Sequence, residues 1–409
     1  MVKRIYENVP FYHQKSKEIG MEPGDVKSLD DLAKMPFTYK TDLRDQYPNG
    51  LQAVPDRDIV RYQASSGTTG KPVIDVYTRN DIDMWATCVA RCLTSYGVTP
   101  DDKVQVSYGY GLFTGGLGLH DGASKIGCNV LPTSSGNTKR QVMLMQDLGI
   151  TLLACTPSYA LYISEALMEA GYGPEDIPLK YGCFGAEPWT AEMRKKLEER
   201  LGIDAHDIYG LVELCGPGVA SDCNYHKGAH IWEDNFIAEI IDPNTGEVLP
   251  PGSTGELVFT TITKEGMPLL RYRTRDITRL FLDKCDCGRT MARMDKITGR
   301  TDDMLIIRGV NIFPSQVESV LLKLNKTAPH FHMIVDRQGS LDTMEIQVEV
   351  NEGTLHDEIK GMENLRNLIA EELKTVLGIS CKITLVEPKS IPRSEGKNKL
   401  VTDKRNLHA

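Results

Sequence analysis

The residue types best suited to chemistry gather in one octapeptide, Ser65-Ser66-Gly67-Thr68-Thr69-Gly70-Lys71-Pro72, where glycines and hydroxyls precede a single cation. Glycine reaches backbone angles that other residues avoid, so successive N–H groups can turn into one concavity. Such a concavity, with hydroxyl donors beside it, suits phosphate oxygens. Lys71 adds positive charge, and Pro72 stiffens the exit. Composition alone equally describes a flexible linker. The apolar runs at 59–62 and 73–77, however, predict one strand entering and one leaving, which would position the loop. It is not a Walker-type loop, because Gly67 and Gly70 are too close and Pro72 stands where the metal-binding hydroxyl belongs.

Two further constellations carry possible chemistry. Glu213 follows Gly210 just past a predicted strand, where a carboxylate can serve Mg2+ as a hard oxygen ligand. It reads equally as a solvated glutamate in a first helical turn. Cys285 and Cys287, one residue apart, resemble half a zinc knuckle that Cys223 with His230 or His226 would complete. A closed shell of four ligands would be structural; the alternative is two buried thiols. Near the C-terminus Arg393, Lys397, Lys399 and Lys404 form a basic run of the kind that is usually a solvated tail.

These residues need a frame, and hydrophobic periodicity supplies it. Residues 1–58 read as helical turns joined by loops, with short helix starts at 25–32 and 41–43. From Asn80, a predicted N-cap, Trp85, Cys88, Val89, Cys92 and Leu93 fall on one buried helix stripe. Predicted strands at 104–108, 129–132, 151–155, 180–184 and 205–209 alternate with helices at 115–127, 138–148, 157–170 and 188–201. That alternation implies a mainly parallel sheet with right-handed crossovers, whose ligands bind beyond the carboxyl ends of the strands. From about residue 230 the pattern turns antiparallel, with strands at 236–241 and 256–261 beside turn-rich stretches. Past Gly299 a β-α-β-β-α-β order follows: strand 304–307, helix 314–324, strands 331–336 and 344–350, helix 355–377 and strand 382–386. The expected fold is α/β, with a large N-terminal domain over 1–299 of mainly parallel sheet plus an antiparallel β-region. A small α+β domain over 300–409 completes it, and 299–303 is the natural hinge.

Composition bounds the partners. A chain of 409 residues is too long for one core. With 47 basic and 56 acidic residues the formal charge is −9, which argues against non-specific nucleic-acid binding but not against a local anion site. The opening Met-Val-Lys-Arg-Ile-Tyr-Glu-Asn lacks the apolar core of a signal peptide. No run approaches the roughly 18 apolar residues of a membrane span. Most of the ten cysteines sit in apolar patterns, Cys88 and Cys92 on a helix face and Cys155 and Cys183 at strand ends, as expected of reduced, buried thiols in the cytoplasm.

The octapeptide resembles the phosphate loop of the acyl-adenylate-forming enzymes, the superfamily of acyl-CoA synthetases, luciferases and peptide-synthetase adenylation domains. The wider chain resembles one branch, the phenylacetate–CoA ligases. The stretches that carry the likeness begin with Tyr108-Gly109-Tyr110-Gly111-Leu112-Phe113-Thr114-Gly115-Gly116, Phe184-Gly185-Ala186-Glu187-Pro188-Trp189 and Asp207-Ile208-Tyr209-Gly210-Leu211-Val212-Glu213. They continue through Arg271-Tyr272-Arg273-Thr274-Arg275-Asp276, Gly299-Arg300-Thr301-Asp302-Asp303 and Ile391-Pro392-Arg393-Ser394-Glu395-Gly396-Lys397, in the family's order over nearly the whole chain. Family members usually carry a few more turns of chain ahead of the segment that begins here at Met1.

The resemblance implies that a carboxylate is joined to the α-phosphorus of ATP with loss of pyrophosphate, after which the thiol of coenzyme A displaces AMP. Both first partners are anions, so the site must supply positive charge and fixed geometry. Ser65, Ser66, Gly67, Thr68, Thr69, Gly70 and Lys71 would hold phosphates, and Glu213 would hold Mg2+. Tyr209 would offer adenine a flat face beside Asp207 and Gly210, and Gly185, Ala186 and Glu187 would bring backbone to the base edge. Asp276 resembles the ribose ligand, although among Arg271, Arg273 and Arg275 it equally suits an ion-pair network. Arg300 would reach the nucleotide at the domain junction, Lys397 the acid carboxylate and α-phosphate, and Asp302 would be the hinge. Tyr108, Tyr110, Phe113, Phe184, Trp189 and Pro217, with the backbone of Gly185 and Ala186, would line an apolar pocket for an aryl acid, or else pack the core. The expected partners are ATP, Mg2+, coenzyme A, an aryl acid, a structural Zn2+ and a second copy in a homodimer. Rival readings are an adenylating enzyme that serves a carrier protein or an amine, and a catalytically silent nucleotide sensor. With no room for a carrier domain past Ala409, and with Glu213 and Lys397 both present, ligation to coenzyme A is the reading expected.

Overall fold

The stripe running from Trp85 to Leu93 folds as helix Arg79–Ser95, entered one residue before the expected Asn80 cap. The N-cap is Thr78, whose hydroxyl accepts from the Asp81 N–H (3.2 Å) while the Asp81 carboxylate accepts from the Thr78 N–H (2.9 Å). The exchange satisfies two orphan donors at once. Asn80 instead donates to Glu265. The structure, a computed structural model, describes residues 1–65, 72–301, 305–308, 310–324, 327–338, 341–351, 359–394 and 399–405. Ser66, Gly67, Thr68, Thr69, Gly70, Lys71, Asp302 and Lys397 lie outside the described residues.

Among the described residues the largest sheet is parallel over five strands, Asp204–Leu211, Tyr181–Gly185, Leu152–Cys155, Lys103–Val106 and Asn129–Leu131. Four antiparallel strands extend it: Gly216–Ser221, Ala229–Ile231, Arg293–Met294 and Leu280–Phe281. The strand period of two splits the core between the faces. Leu152 and Ala154 join Trp85, Val89, Cys92 and Leu119 on one face, under helices Arg79–Ser95 and Thr114–Ile126. Leu153 and Cys155 join Val142, Tyr159 and Leu197 on the other, under helices Thr138–Leu148, Pro157–Glu169 and Ala191–Leu201. A second sheet orders Phe236–Ile241, Gly255–Thr261, Tyr272–Thr278 and Gly299–Arg300. The expected strand at 59–62 forms two residues later, as Arg61–Ala64 paired with Ile74–Tyr77, because a 3-10 turn at Asp56–Asp58 occupies the approach.

The C-terminal unit has its own core around Ile307, Val317, Met333, Ile346, Ile369 and Leu373. Its sheet runs Lys382–Val386, Leu341–Val350, Thr327–Gln338 and Val401–Asp403, the last a strand that the sequence pattern missed. Helices Pro314–Lys323 and Ile359–Leu377 contribute their apolar faces to this core.

Candidate active site

Ser65 and Val73, which flank the expected phosphate-binding residues, pair with each other. The Ser65 N–H donates to the Val73 carbonyl (2.9 Å), and the Val73 N–H donates to the Ser65 hydroxyl (2.9 Å). The neighbouring Ala64 N–H donates to the Leu112 carbonyl (2.7 Å), which ties the entering strand to the glycine-aromatic segment 108–116.

At the carboxyl ends of two parallel strands, a glycine in each sets the backbone. At Gly185 a Cβ would stand 2.2 Å from the Ile208 carbonyl oxygen, and at Gly210 one would stand 1.7 Å from that of Gly216. Only glycine allows both approaches. Ala186 then turns with φ of 72°, the left-handed region that is unusual for a residue with a side chain. The Glu187 carboxylate is engaged elsewhere. It accepts from the Ser158 N–H (2.7 Å) at the start of helix Pro157–Glu169, where negative charge suits the helix dipole.

Tyr209, Asp276 and Arg300 converge. The Tyr209 phenol donates to Asp276 Oδ2 at 2.7 Å, and Arg300 Nη1 lies 3.0 Å from Oδ1 of the same carboxylate. Strand pairing of Asp276 with Arg300 enforces the meeting. The ion-pair network suggested by Arg271, Arg273 and Arg275 belongs elsewhere: Arg271 binds Glu239, and Arg273 and Arg275 face Glu256. Asp207 lies two residues before Tyr209, its carboxyl pushed up to about 6 by burial and by the Asp222 carboxylate, against the pull of Trp189, Arg194 and Lys296.

Glu213 sits in the turn between strands Asp204–Leu211 and Gly216–Ser221, not in a helix. It is 3 % exposed, and among the described residues its Oε1 makes no hydrogen bond, although Lys40 Nζ lies 3.1 Å from that atom. A buried carboxylate oxygen beside a partly exposed ammonium fits a divalent cation. Lys40 is a residue that sequence reasoning missed, since one lysine at the start of a short helix carries no periodic signal.

The aromatic residues separate. Tyr110 and Phe113 are half-buried, and the Tyr110 hydroxyl meets His120 Nδ1 at 3.2 Å. Tyr108 is buried, its hydroxyl donating to the carbonyls of Cys155 (2.5 Å) and Gly185 (3.3 Å). Phe184 and Trp189 meet edge to face, 5.8 Å between centroids, in the core beneath the helices. Their packing, not a ligand wall, explains their apolar character, and the pocket expectation is corrected for this pair. Pro217 offers its carbonyl to the Trp85 indole (2.8 Å).

Cys223, His230, Cys285 and Cys287 bring one ligand atom each within 4.8 Å of one another. The Cys223 and Cys285 sulfurs are 3.9 Å apart, and Cys287 Sγ is 3.4 Å from His230 Nε2. Sulfurs bound tetrahedrally at zinc distances stand about 3.8 Å apart, so the donor set fits that ion. Burial, with Arg289 and Arg293 nearby, pushes His230 down to about 4, and a neutral imidazole is the form that ligates. His226, the other candidate, is held by Asp204 (2.9 Å) and Asp222 (3.0 Å) instead.

The C-terminal unit meets this surface through residues with no recognisable motif. Ser315 donates to the Thr298 carbonyl, Lys323 lies 3.5 Å from Glu192, and His330 lies 3.1 Å from Glu165.

Comparison with known proteins finds two family matches along the chain. The family of AMP-binding enzymes matches residues 12–263, and the AMP-binding enzyme C-terminal domain matches residues 309–405. The chain is 52 % identical to the phenylacetate-coenzyme A ligase of Aromatoleum evansii, over 99 % of this chain and 92 % of that one. It is 50 % identical to the enzyme of the same name from Thermus thermophilus, over 97 % and 92 %. Among solved structures, 2-hydroxyisobutyryl-CoA ligase in the postadenylation state with its acyl-AMP is similar at a TM-score of 0.94 and 29 % identity, over 99 % of this chain and 87 % of that one. The same ligase with acyl-AMP and CoA in the thioesterification state gives 0.72 and 30 % over the same shares.

Proposed function

The chain belongs to the phenylacetate–CoA ligase family of AMP-binding enzymes, and from that premise we infer how its residues perform ATP-dependent ligation of coenzyme A to an acid through an acyl-adenylate. The acid is phenylacetate or a close aryl relative. The relatives' substrate supports this, as do the half-buried rings of Tyr110 and Phe113 beside the backbone of residues 109–111. The observation that carries the nucleotide assignment is the convergence of Tyr209, Asp276 and Arg300 at the end of the parallel sheet. An ionised Asp276 accepts hydrogen bonds from two ribose hydroxyls while Tyr209 keeps it in place.

Ser65 and the residues through Lys71 hold the phosphates, and Lys397 meets the acid carboxylate and the α-phosphate, where charge is shared as the acyl–phosphate bond forms. Glu213 would hold Mg2+, which neutralises phosphate charge when bound. Cys223, His230, Cys285 and Cys287 would hold a structural Zn2+ and so fasten the edge of the large sheet. Adenylation and thioester formation use two arrangements of the C-terminal unit, which pivots at Asp302. The Thr301 N–H is held by the Arg275 carbonyl (2.8 Å), which supports a pivot after that residue. The similarity scores support reading the present arrangement as the adenylation side. The protein acts in the cytoplasm as a homodimer. Among the described residues no helix is long and apolar enough to cross a membrane.

A pyrophosphate-release assay over arylacetic, benzoic and fatty acids tests the reading. Phenylacetate should give the highest kcat/KM, and a fatty acid in first place would overturn it. Lys397→Ala should slow adenylation by about 100-fold and largely spare thiolysis of a supplied acyl-adenylate.

A further inference from the structure

One carboxylate of the large unit collects the small one. Glu165, on helix Pro157–Glu169, lies 3.1 Å from His330 Nε2 on strand Thr327–Gln338 and 3.5 Å from Arg393 Nε. Its own unit adds Arg200 at 3.8 Å. Burial alone would raise this carboxyl, yet His330, Arg393 and Arg200 hold it below its ordinary value. The contact is partly shielded, with Glu165 and His330 side chains 23 % and 8 % exposed.

Arg393 is fixed from behind. Its two terminal nitrogens each lie 2.7 Å from a different oxygen of Glu349, a residue 1 % exposed in the C-terminal core, and Nη1 also donates to the Ile391 carbonyl (2.9 Å). A guanidinium fork held bidentately has one orientation, which leaves its Nε edge for Glu165. Arg393 stands four residues before Lys397, so chain length alone keeps the two within about 14 Å.

We propose that Glu165 is a positioning residue for adenylation: by binding His330 and Arg393 it holds the segment that leads to Lys397 toward the nucleotide, and it must let go for thioester formation. The proposal rests on the two-arrangement reading and on the role given to Lys397. A contact present in one arrangement and lost in the other biases the equilibrium by the whole of its own free energy. Glu165 thus favours the first half-reaction and opposes the second.

The test separates the half-reactions. Glu165→Gln removes the charge and keeps the shape; His330→Gln weakens the same contact from the other unit. ATP–pyrophosphate exchange with phenylacetate should fall about tenfold in each variant, a usual size for coupling between sites. Thiolysis of supplied phenylacetyl-adenylate by coenzyme A should be unchanged or faster, and Glu165→Asp should recover part of the exchange rate. Added salt should slow exchange more steeply in the parent protein than in Glu165→Gln, which lacks the charge at that contact. Equal losses in both half-reactions, or unchanged exchange in both variants with melting temperatures intact, would overturn the proposal. If the parent protein is inert toward phenylacetate, the substrate reading fails separately, and the same comparison is made with the acid that the panel identifies.

Discussion

Lys40 Nζ rests 3.1 Å from Oε1 of Glu213, an ammonium lying against the carboxylate assigned to magnesium. The carboxylate is 3 % exposed and cannot withdraw, whereas the Lys40 side chain is 38 % exposed and can. Magnesium bound at Glu213, as proposed, would therefore compete with the lysine. Lys40→Met should lower the magnesium concentration that gives half-maximal pyrophosphate release, and Glu213→Gln should raise it while cutting the rate about 100-fold, as for loss of one transition-state contact. Magnesium titrations at saturating ATP check both. An unmoved midpoint in Lys40→Met would show that the two cations do not share the site.

Asp276→Asn preserves shape and removes the charge that Tyr209 and Arg300 both address. Hydrogen bonds to a charged group contribute about 1.5–3 kcal/mol, so KM for ATP should rise by about tenfold or more. Tyr209→Phe, which leaves the carboxylate ionised, should have a smaller effect. Steady-state kinetics with ATP varied distinguishes the pair.

Cys285→Ser combined with Cys287→Ser should abolish a stoichiometric zinc content of about one ion per chain, the number one closed four-ligand site accepts. The melting temperature should fall, because metal affinity of this kind is folding free energy. Elemental analysis together with calorimetry reads both effects. Parent protein made with zinc present and found to lack it would end the assignment.

Glu318, on helix Pro314–Lys323, should make docking of the C-terminal unit depend on pH. Burial first, and the Glu187 carboxylate second, push its carboxyl up from an ordinary 4.5 to about 8; Glu192 adds to this and Thr190 opposes it. Between those values the docked arrangement binds a proton that the separated one does not. Docking is therefore strongest below about pH 4.5 and weakens as pH rises toward about 8, where the loss is complete. Glu318→Gln should remove that slope. Energy transfer between dyes on the two units, followed over this range, measures it, and a slope that survives in Glu318→Gln belongs to another group.

Local order was legible where one period ran without interruption. Helix Thr138–Leu148 and strand Lys382–Val386 have the bounds that the sequence predicts. The motifs were legible as well: Asp276 and Arg300 stand in separate stretches, and strand pairing joins them. Which face a residue takes was harder to read. Phe184 and Trp189 look like a ligand wall in a glycine-rich stretch, and only the helices packed over that face of the sheet reveal them as core. His226 and His230 are equivalent on paper; strand pairing with Arg293 sets His230 beside the cysteines, while His226 faces Asp204 and Asp222. Lys40, Glu165 and Glu318 left no trace, because each acts through a partner far along the chain and none recurs with a period.

Tyr108 spans from the end of one parallel strand to the backbone of the next two, through the carbonyls of Cys155 and Gly185. The ends of three neighbouring strands are thereby tied together, and on the proposed assignments they carry both the acid and the adenine. On those assignments, redesign of acid preference should begin at Tyr110 and Phe113, whose side chains make neither of these strand contacts. Any new specificity won by substituting Tyr108 would carry a penalty in nucleotide affinity.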